Sequence, residues 1–86
     1  MNFILAVFKS RSETIYFANM LRNFGIMAQV VNTPRQVGQA CGICVKFRPD
    51  DFSKVRELLS QKRFQGFAGF YSVSMRNGLM GDFVRM

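Results

Sequence analysis

The segment TPRQVGQACGICVKF, residues 33–47, holds both cysteines of the chain, Cys41 and Cys44. Their C-x-x-C spacing is that of thioredoxin-like redox pairs. Such pairs open a helix, whereas Ile43 to Phe47 alternate in the manner of a strand. Three strand residues span about 10 Å, and a disulfide needs Cα atoms within about 7 Å. A bridge therefore requires a sharp kink at Gly42. Two thiols are also too few for four-coordinate zinc, which would need a dimer to complete its shell. No metal and no cofactor is expected.

Cys41 by itself has a sharper chemistry. It stands at a loop-to-strand junction, and Gly42 after it lets other groups come close to the backbone. Arg35 lies upstream in a proline-fixed loop, and Lys46 and Arg48 follow in the strand. Cations favour the thiolate, which is the nucleophilic form. Lowering a thiol's pKa from about 8.5 to about 7 raises its ionised fraction at neutral pH from roughly 3% to half. Cysteine is equally at home as a small buried hydrophobe, so at this point Cys41 is either a reactive or a structural thiol. Cys44, inside the strand, reads as structural. The candidate site is Cys41 as the reacting atom, with Arg35, Gly42, Lys46 and Thr33 as the groups that would bind a substrate or stabilise the thiolate.

Competing chemistries are thin. The chain of 86 residues contains no histidine, which removes Ser-His and Cys-His nucleophile pairs and the common zinc sites. The five acids have structural explanations: Glu13 in a capping box, Asp50 and Asp51 at a helix start, Glu57 on a helix face near Lys54 and Lys62, and Asp82 near the end of the chain. None makes a carboxylate pair for general acid–base work. Gly66-Phe67-Ala68-Gly69 lacks the lysine and span of a phosphate-binding loop. Twelve Lys and Arg give a net charge of +7, which predicts attraction to something anionic. The apolar run Phe3 to Phe8 has no basic residue before it and no small-residue cleavage site, so it is not read as a signal peptide. It is also far shorter than a membrane span. A reducing cytoplasm is the expected compartment.

The elements that must hold this site follow from periodicity. Phe3 to Phe8 is apolar on both parities, as in a central strand buried on both faces. Ser10 and Glu13 have capping-box spacing. Ile15, Phe17, Ala18, Leu21 and Phe24 then recur at helical intervals, and Gly25 stops the helix. Ile26 to Asn32 reads as a second strand broken by Thr33-Pro34, and Arg35 to Ala40 as one helical turn or an ordered loop. Gly42 to Arg48 is a third strand, with Ile43, Val45 and Phe47 on one face and Cys44, Lys46 and Arg48 on a wetter one. After Pro49, a second helix carries the stripe Phe52, Val55, Leu58 and Leu59, with Lys62 and Arg63 at its negative end. Phe70 to Met75 is a fourth strand, and Asn77-Gly78 a turn. The last eight residues form a hairpin arm, pack on the open face, or fray.

The order is βαββαβ with a tail. The expected fold is an α+β, ferredoxin-like sandwich, an antiparallel sheet with two helices on one face. Residues 1–75 would make the single domain and residues 76–86 a C-terminal arm or hairpin extension. The other sheet face, with Met27, Val31, Cys44 and Lys46, would be left uncovered, which points to a homodimer or a covering tail. Area scaling for 9.9 kDa predicts about 5,200 Å² of exposed surface, with roughly 64% of the extended chain's surface buried.

The pattern resembles the selenium/sulfur carrier protein-like family of small bacterial proteins: a strand, a helix ending in Gly-Ile, a second strand, Thr-Pro-Arg, a few small residues, and Cys-Gly before an apolar strand. Here these are Gly25-Ile26, Thr33-Pro34-Arg35 and Cys41-Gly42-Ile43 leading to Lys46-Phe47. The resemblance runs from about residue 3 to residue 73. Two positions depart from it. Gly38-Gln39-Ala40 stands where members tend to have serines, and Cys44 where they have an ordinary small or apolar residue.

The resemblance implies a thiol carrier that accepts a persulfide-type sulfur or selenium on Cys41. A persulfide-donor enzyme such as a cysteine desulfurase would supply it, and an acceptor such as selenophosphate synthetase would receive it. Such a carrier needs no general base and is not a catalyst in the ordinary sense. Two other functions stay open on the residues alone. One is a nucleic-acid or anionic-partner binding module driven by the +7 charge. The other is a dimeric assembly subunit in which Cys41 is structural.

Overall fold

The computed structural model describes residues 2–38 and 41–86, apart from the side chain of Met80. Strand β1 (Asn2–Phe8) leads into helix α1 (Arg11–Asn23), and strand β2 (Ala28–Asn32) follows. A 3₁₀ turn at Arg35–Val37 precedes strand β3 (Ile43–Phe47), and a second one at Pro49–Asp51 precedes helix α2 (Phe52–Ser60). Strands β4 (Phe67–Arg76) and β5 (Leu79–Arg85) close the chain. All neighbouring strands are antiparallel, in the order β2-β3-β1-β4-β5. The α+β class, the antiparallel sheet and the two helices are as the sequence predicts. The sheet has five strands because the last residues pair with β4 instead of fraying.

Local chemistry sets the ends of α1. The Ser10 hydroxyl accepts the Glu13 N–H at 3.3 Å, the first half of a capping box. The expected return bond is replaced by a tertiary one: Glu13 Oε1 accepts the N–H of Gly66 at 2.9 Å, tying α1 to the approach of β4. A Cβ at Gly66 would run into that carboxylate. At the other end Ile26 N–H reaches Leu21 C=O and Gly25 N–H reaches Arg22 C=O, each at 3.0 Å. That is the Schellman pattern, with Gly25 at φ 79° in the left-handed region it requires. Glu13→Ala removes a charged acceptor from a part-buried N–H and is expected to cost about 1.5–3 kcal/mol. Glu57→Ala, which breaks only the exposed 3.7 Å pair with Lys54, should cost under about 1 kcal/mol. Urea midpoints of the two variants check this contrast.

Two apolar layers sandwich the sheet. On the helix side Ile4, Ala6 and Phe8 of β1 meet Phe17, Ala18 and Leu21 of α1, Val55 and Leu58 of α2, and Val45, Phe47 and Phe70. Phe8 is the hub, its ring 5.3 Å from Phe17, 5.5 Å from Phe64 and 5.4 Å from Phe67. A register shift opposite Val7 and Phe8 lets Phe67 and Phe70, three residues apart, share this face, as a β-bulge allows. Ile15 and Phe24, expected in the stripe of α1, are exposed, and Thr14 takes a buried place instead.

The opposite face corrects the expectation of an uncovered sheet. Leu5, Val7, Cys44 and Val73 there are essentially inaccessible, with Phe3, Val31, Val37, Ala68, Tyr71 and Phe83 packed around them. Val37 packs on this cluster from the loop after β2, and Phe83 extends it sideways from β5, opposite Val73. The surface of 5560 Å² exceeds the scaling value of about 5,200 Å²; Leu79, Val84 and Met86 of the hairpin are among the exposed apolar groups.

Candidate functional site

Antiparallel pairing of β1 and β3 puts the start of β3 beside the end of β1. The loop between β2 and β3 is pinned at its neck, where Thr33 N–H donates to Gly42 C=O at 2.9 Å. Cys41 N–H donates to Phe8 C=O at 3.1 Å. The cysteine backbone is thus fastened two residues before Ser10, the N-cap of α1. This is the end of the sheet where the positive pole of the α1 dipole lies, and Lys9 and Arg11 flank that cap. Sequence reasoning credited Cys41 with Arg35 and Lys46 and missed this sheet end. The signal was present in the apolar parity of β1, which placed it centrally, next to β3.

Within the loop, Pro34 to Gly38 forms a tight 3₁₀ turn, with Val37 N–H on Pro34 C=O and Gly38 N–H on Arg35 C=O, both 3.1 Å. The turn drops Val37 onto the cluster that contains Cys44 and leaves Arg35 exposed. The Arg35 guanidinium makes no hydrogen bond or ion pair among the described residues. Gln39 and Ala40, the end of the expected Arg35–Ala40 turn, lie outside the described residues.

The two cysteines have opposite environments. Both are free thiols, Cys41 half-buried and Cys44 buried. The chain bends at Gly42, as a close approach of the two would require, but no disulfide is present. Burial pushes the Cys44 thiol above its ordinary value of 9.0, and a negative charge at Cys41 would add to the push. The Thr33 hydroxyl beside it acts the other way. That hydroxyl is buried with no partner at hydrogen-bonding distance, so its pull is weak and burial wins. The face expected to be wetter is therefore dry at Cys44. Cys44 belongs to the cluster with Leu5, Val7 and Val73, against which Val31 and, from the loop, Val37 pack.

Cys41, Gly42, Thr33 and the Arg35 turn thus meet at one end of the sheet. Lys46 does not join them. Its ammonium sits 4.5 Å over the Phe3 ring, and it lies five residue steps along the chain from Cys41, up to about 16 Å when extended. Arg48 is held near Asp51 at 3.7 Å. Among the described residues no group of three or more His, Cys, Asp and Glu is placed to hold a metal, and no helix is long and apolar enough to cross a membrane.

These features define a small α+β protein with two free thiols, one half-buried at a sheet end and the other buried in the core. The chain belongs to the family described as "Putative Se/S carrier protein-like", which matches residues 3–72. The match takes in the whole site and most of β4, and leaves β5 outside. No curated protein and no solved structure matches the chain.

Proposed function

We propose that this protein carries sulfur or selenium on Cys41. The observation that supports the reading is the contrast between the thiols: Cys41, in the Thr-Pro-Arg to Cys-Gly segment, is only half-buried and is backbone-anchored, while Cys44 is buried in the core. The Cys41 thiolate attacks the outer sulfur of a donor persulfide, R–S–SH. A Cys41–S–SH bond forms, the donor S–S bond breaks, and R–S⁻ leaves with the electron pair. Delivery reverses the exchange: an acceptor thiolate takes the terminal sulfur and Cys41 leaves as thiolate. Neither step needs an oxidant or a general base. Selenium in the same oxidation state follows the same route.

Arg35, exposed on the anchored turn, supplies a cation for the incoming anion, and Gly42 keeps the approach to Cys41 clear of side chains. The donor is a persulfide-bearing enzyme of the cysteine desulfurase kind, the acceptor one such as selenophosphate synthetase, and the compartment a reducing cytoplasm. Intact mass after exposure to a low-molecular-weight persulfide tests the reading. Wild type and Cys44→Ala are expected to gain the mass of one sulfur, and Cys41→Ala none. Equal uptake by wild type and Cys41→Ala would end it.

A further inference from the structure

A well-formed hollow among the described residues lies away from Cys41. It lies at the opposite end of the sheet, where β1 and β2 begin and β3 ends, and has a volume of about 670 Å³. Its walls are apolar, chiefly Phe3, Ile26, Met27, Phe47 and Pro49. Three cations reach it, Arg22, Lys46 and Arg48, against the single carboxylate of Asp50. Their situations differ. Arg22 is steered by its Nε–H to Ala28 C=O at 2.9 Å, and Arg48 is held near Asp51. Lys46 has no carboxylate partner among the described residues, only the Phe3 ring beneath it.

An apolar hollow with few, convergent polar groups is the usual form of a small-molecule site, and this volume falls in the usual range. We propose that this cavity binds a small planar aromatic anion, a carboxylate or sulfonate. The ring system would lie against Phe3 and Met27, and the anionic group would meet Lys46, with Arg22 as the second cation. Charge complementarity selects this occupant: a neutral ligand would leave the Lys46 ammonium without a counter-ion, and a cation would face three like charges. The inference does not depend on Cys41.

8-Anilinonaphthalene-1-sulfonate is a suitable probe, since it is singly charged and carries its sulfonate on a planar naphthalene ring. Folded wild-type protein is expected to bind it saturably at one site, with a dissociation constant on the order of tens of micromolar and a blue-shifted emission. Lys46→Glu should weaken binding at least about tenfold, since a charge-assisted contact becomes a like-charge one. Met27→Glu, at a residue 69% exposed and so tolerant of substitution, should do the same if Lys46→Glu fails to fold. Arg56→Glu alters a second, smaller hollow of about 450 Å³ beside Phe64 and Phe67 and should leave affinity unchanged. Cys41→Ala should bind as wild type. The proposal is overturned if binding does not saturate, if the folded Lys46→Glu or Met27→Glu variant binds as wild type, or if Arg56→Glu is the variant that loses binding.

Discussion

Phe8→Ala is expected to destabilise the domain by about 3–5 kcal/mol and to lower Tm by more than about 12 °C. The size follows from position. Phe8 is fully buried and its ring contacts those of Phe17, Phe64 and Phe67 within 5.3–5.5 Å, so truncation opens a void in contact with α1, the segment after α2, and β4 at once. The inward movement of one neighbour cannot fill a hole bounded by three elements, which keeps the cavity cost high. A domain of this length has roughly 4–13 kcal/mol of total stability, so a large share would be lost. The effect reaches the site indirectly. The main-chain oxygen that holds Cys41 belongs to Phe8 and survives the substitution, so molecules that remain folded at low temperature should still present Cys41 first to an alkylating reagent. Thermal unfolding followed by circular dichroism gives the stability; a loss under about 1 kcal/mol would mean that the aromatic cluster does not bear on the fold as described.

Legibility in the sequence varied with the range of the interaction responsible. The cap at Ser10, the stop at Gly25, the break at Thr33-Pro34 and the Asn77-Gly78 turn, whose two residues have φ 52° and 78°, are local and could be read residue by residue. The double apolar parity of β1 correctly placed it inside the sheet. Gly66 and Gly69 read as punctuation and put the start of β4 at Phe70, whereas a bulge opposite Val7 and Phe8 lets the strand begin at Phe67. Ile15 and Phe24 were assigned to the core by spacing alone, yet the buried arc of α1 runs through Thr14, Phe17, Ala18 and Leu21. Glu13 was explained by a local cap while its carboxylate serves a residue 53 positions away. That Cys41, Gly42, Thr33 and Arg35 lie together was legible because they share one short segment. The displacement of Lys46 was not, because sequence nearness along a strand is distance, about 3.3 Å per residue. The dryness of Cys44 has a related origin: the cluster it joins draws Val37 from the 3₁₀ turn and Phe83 from β5, neither of which is its neighbour in the chain.

That covered thiol leads to an effect of pH on stability. Wild-type protein is expected to lose stability as pH rises above about 9, and Cys44→Ala to lose less. Burial holds the folded thiol above its ordinary value of 9.0. In the unfolded chain the thiol ionises near that value, while in the native state it keeps its proton. The unfolded state then binds fewer protons than the native one, so the slope of unfolding free energy with pH is negative, at most about 1.4 kcal/mol per pH unit. The contribution is fully present below pH 9 and is lost as pH climbs toward the folded pKa. Lysines and tyrosines titrate in both proteins, and the difference between the two slopes isolates Cys44. The same burial governs reactivity. Cys44 must wait for an opening of the structure, so at pH 8 its alkylation should be on the order of a thousandfold slower than that of Cys41 if opening costs about 4 kcal/mol. Urea denaturation of wild type and Cys44→Ala between pH 7 and pH 10, paired with site-resolved mass spectrometry of iodoacetamide labelling, reads both quantities. Parallel stability curves, or equal labelling rates at the two cysteines, would show that the loop carrying Val37 does not seal Cys44, and the division of labour between an accessible thiol and a buried one would be lost.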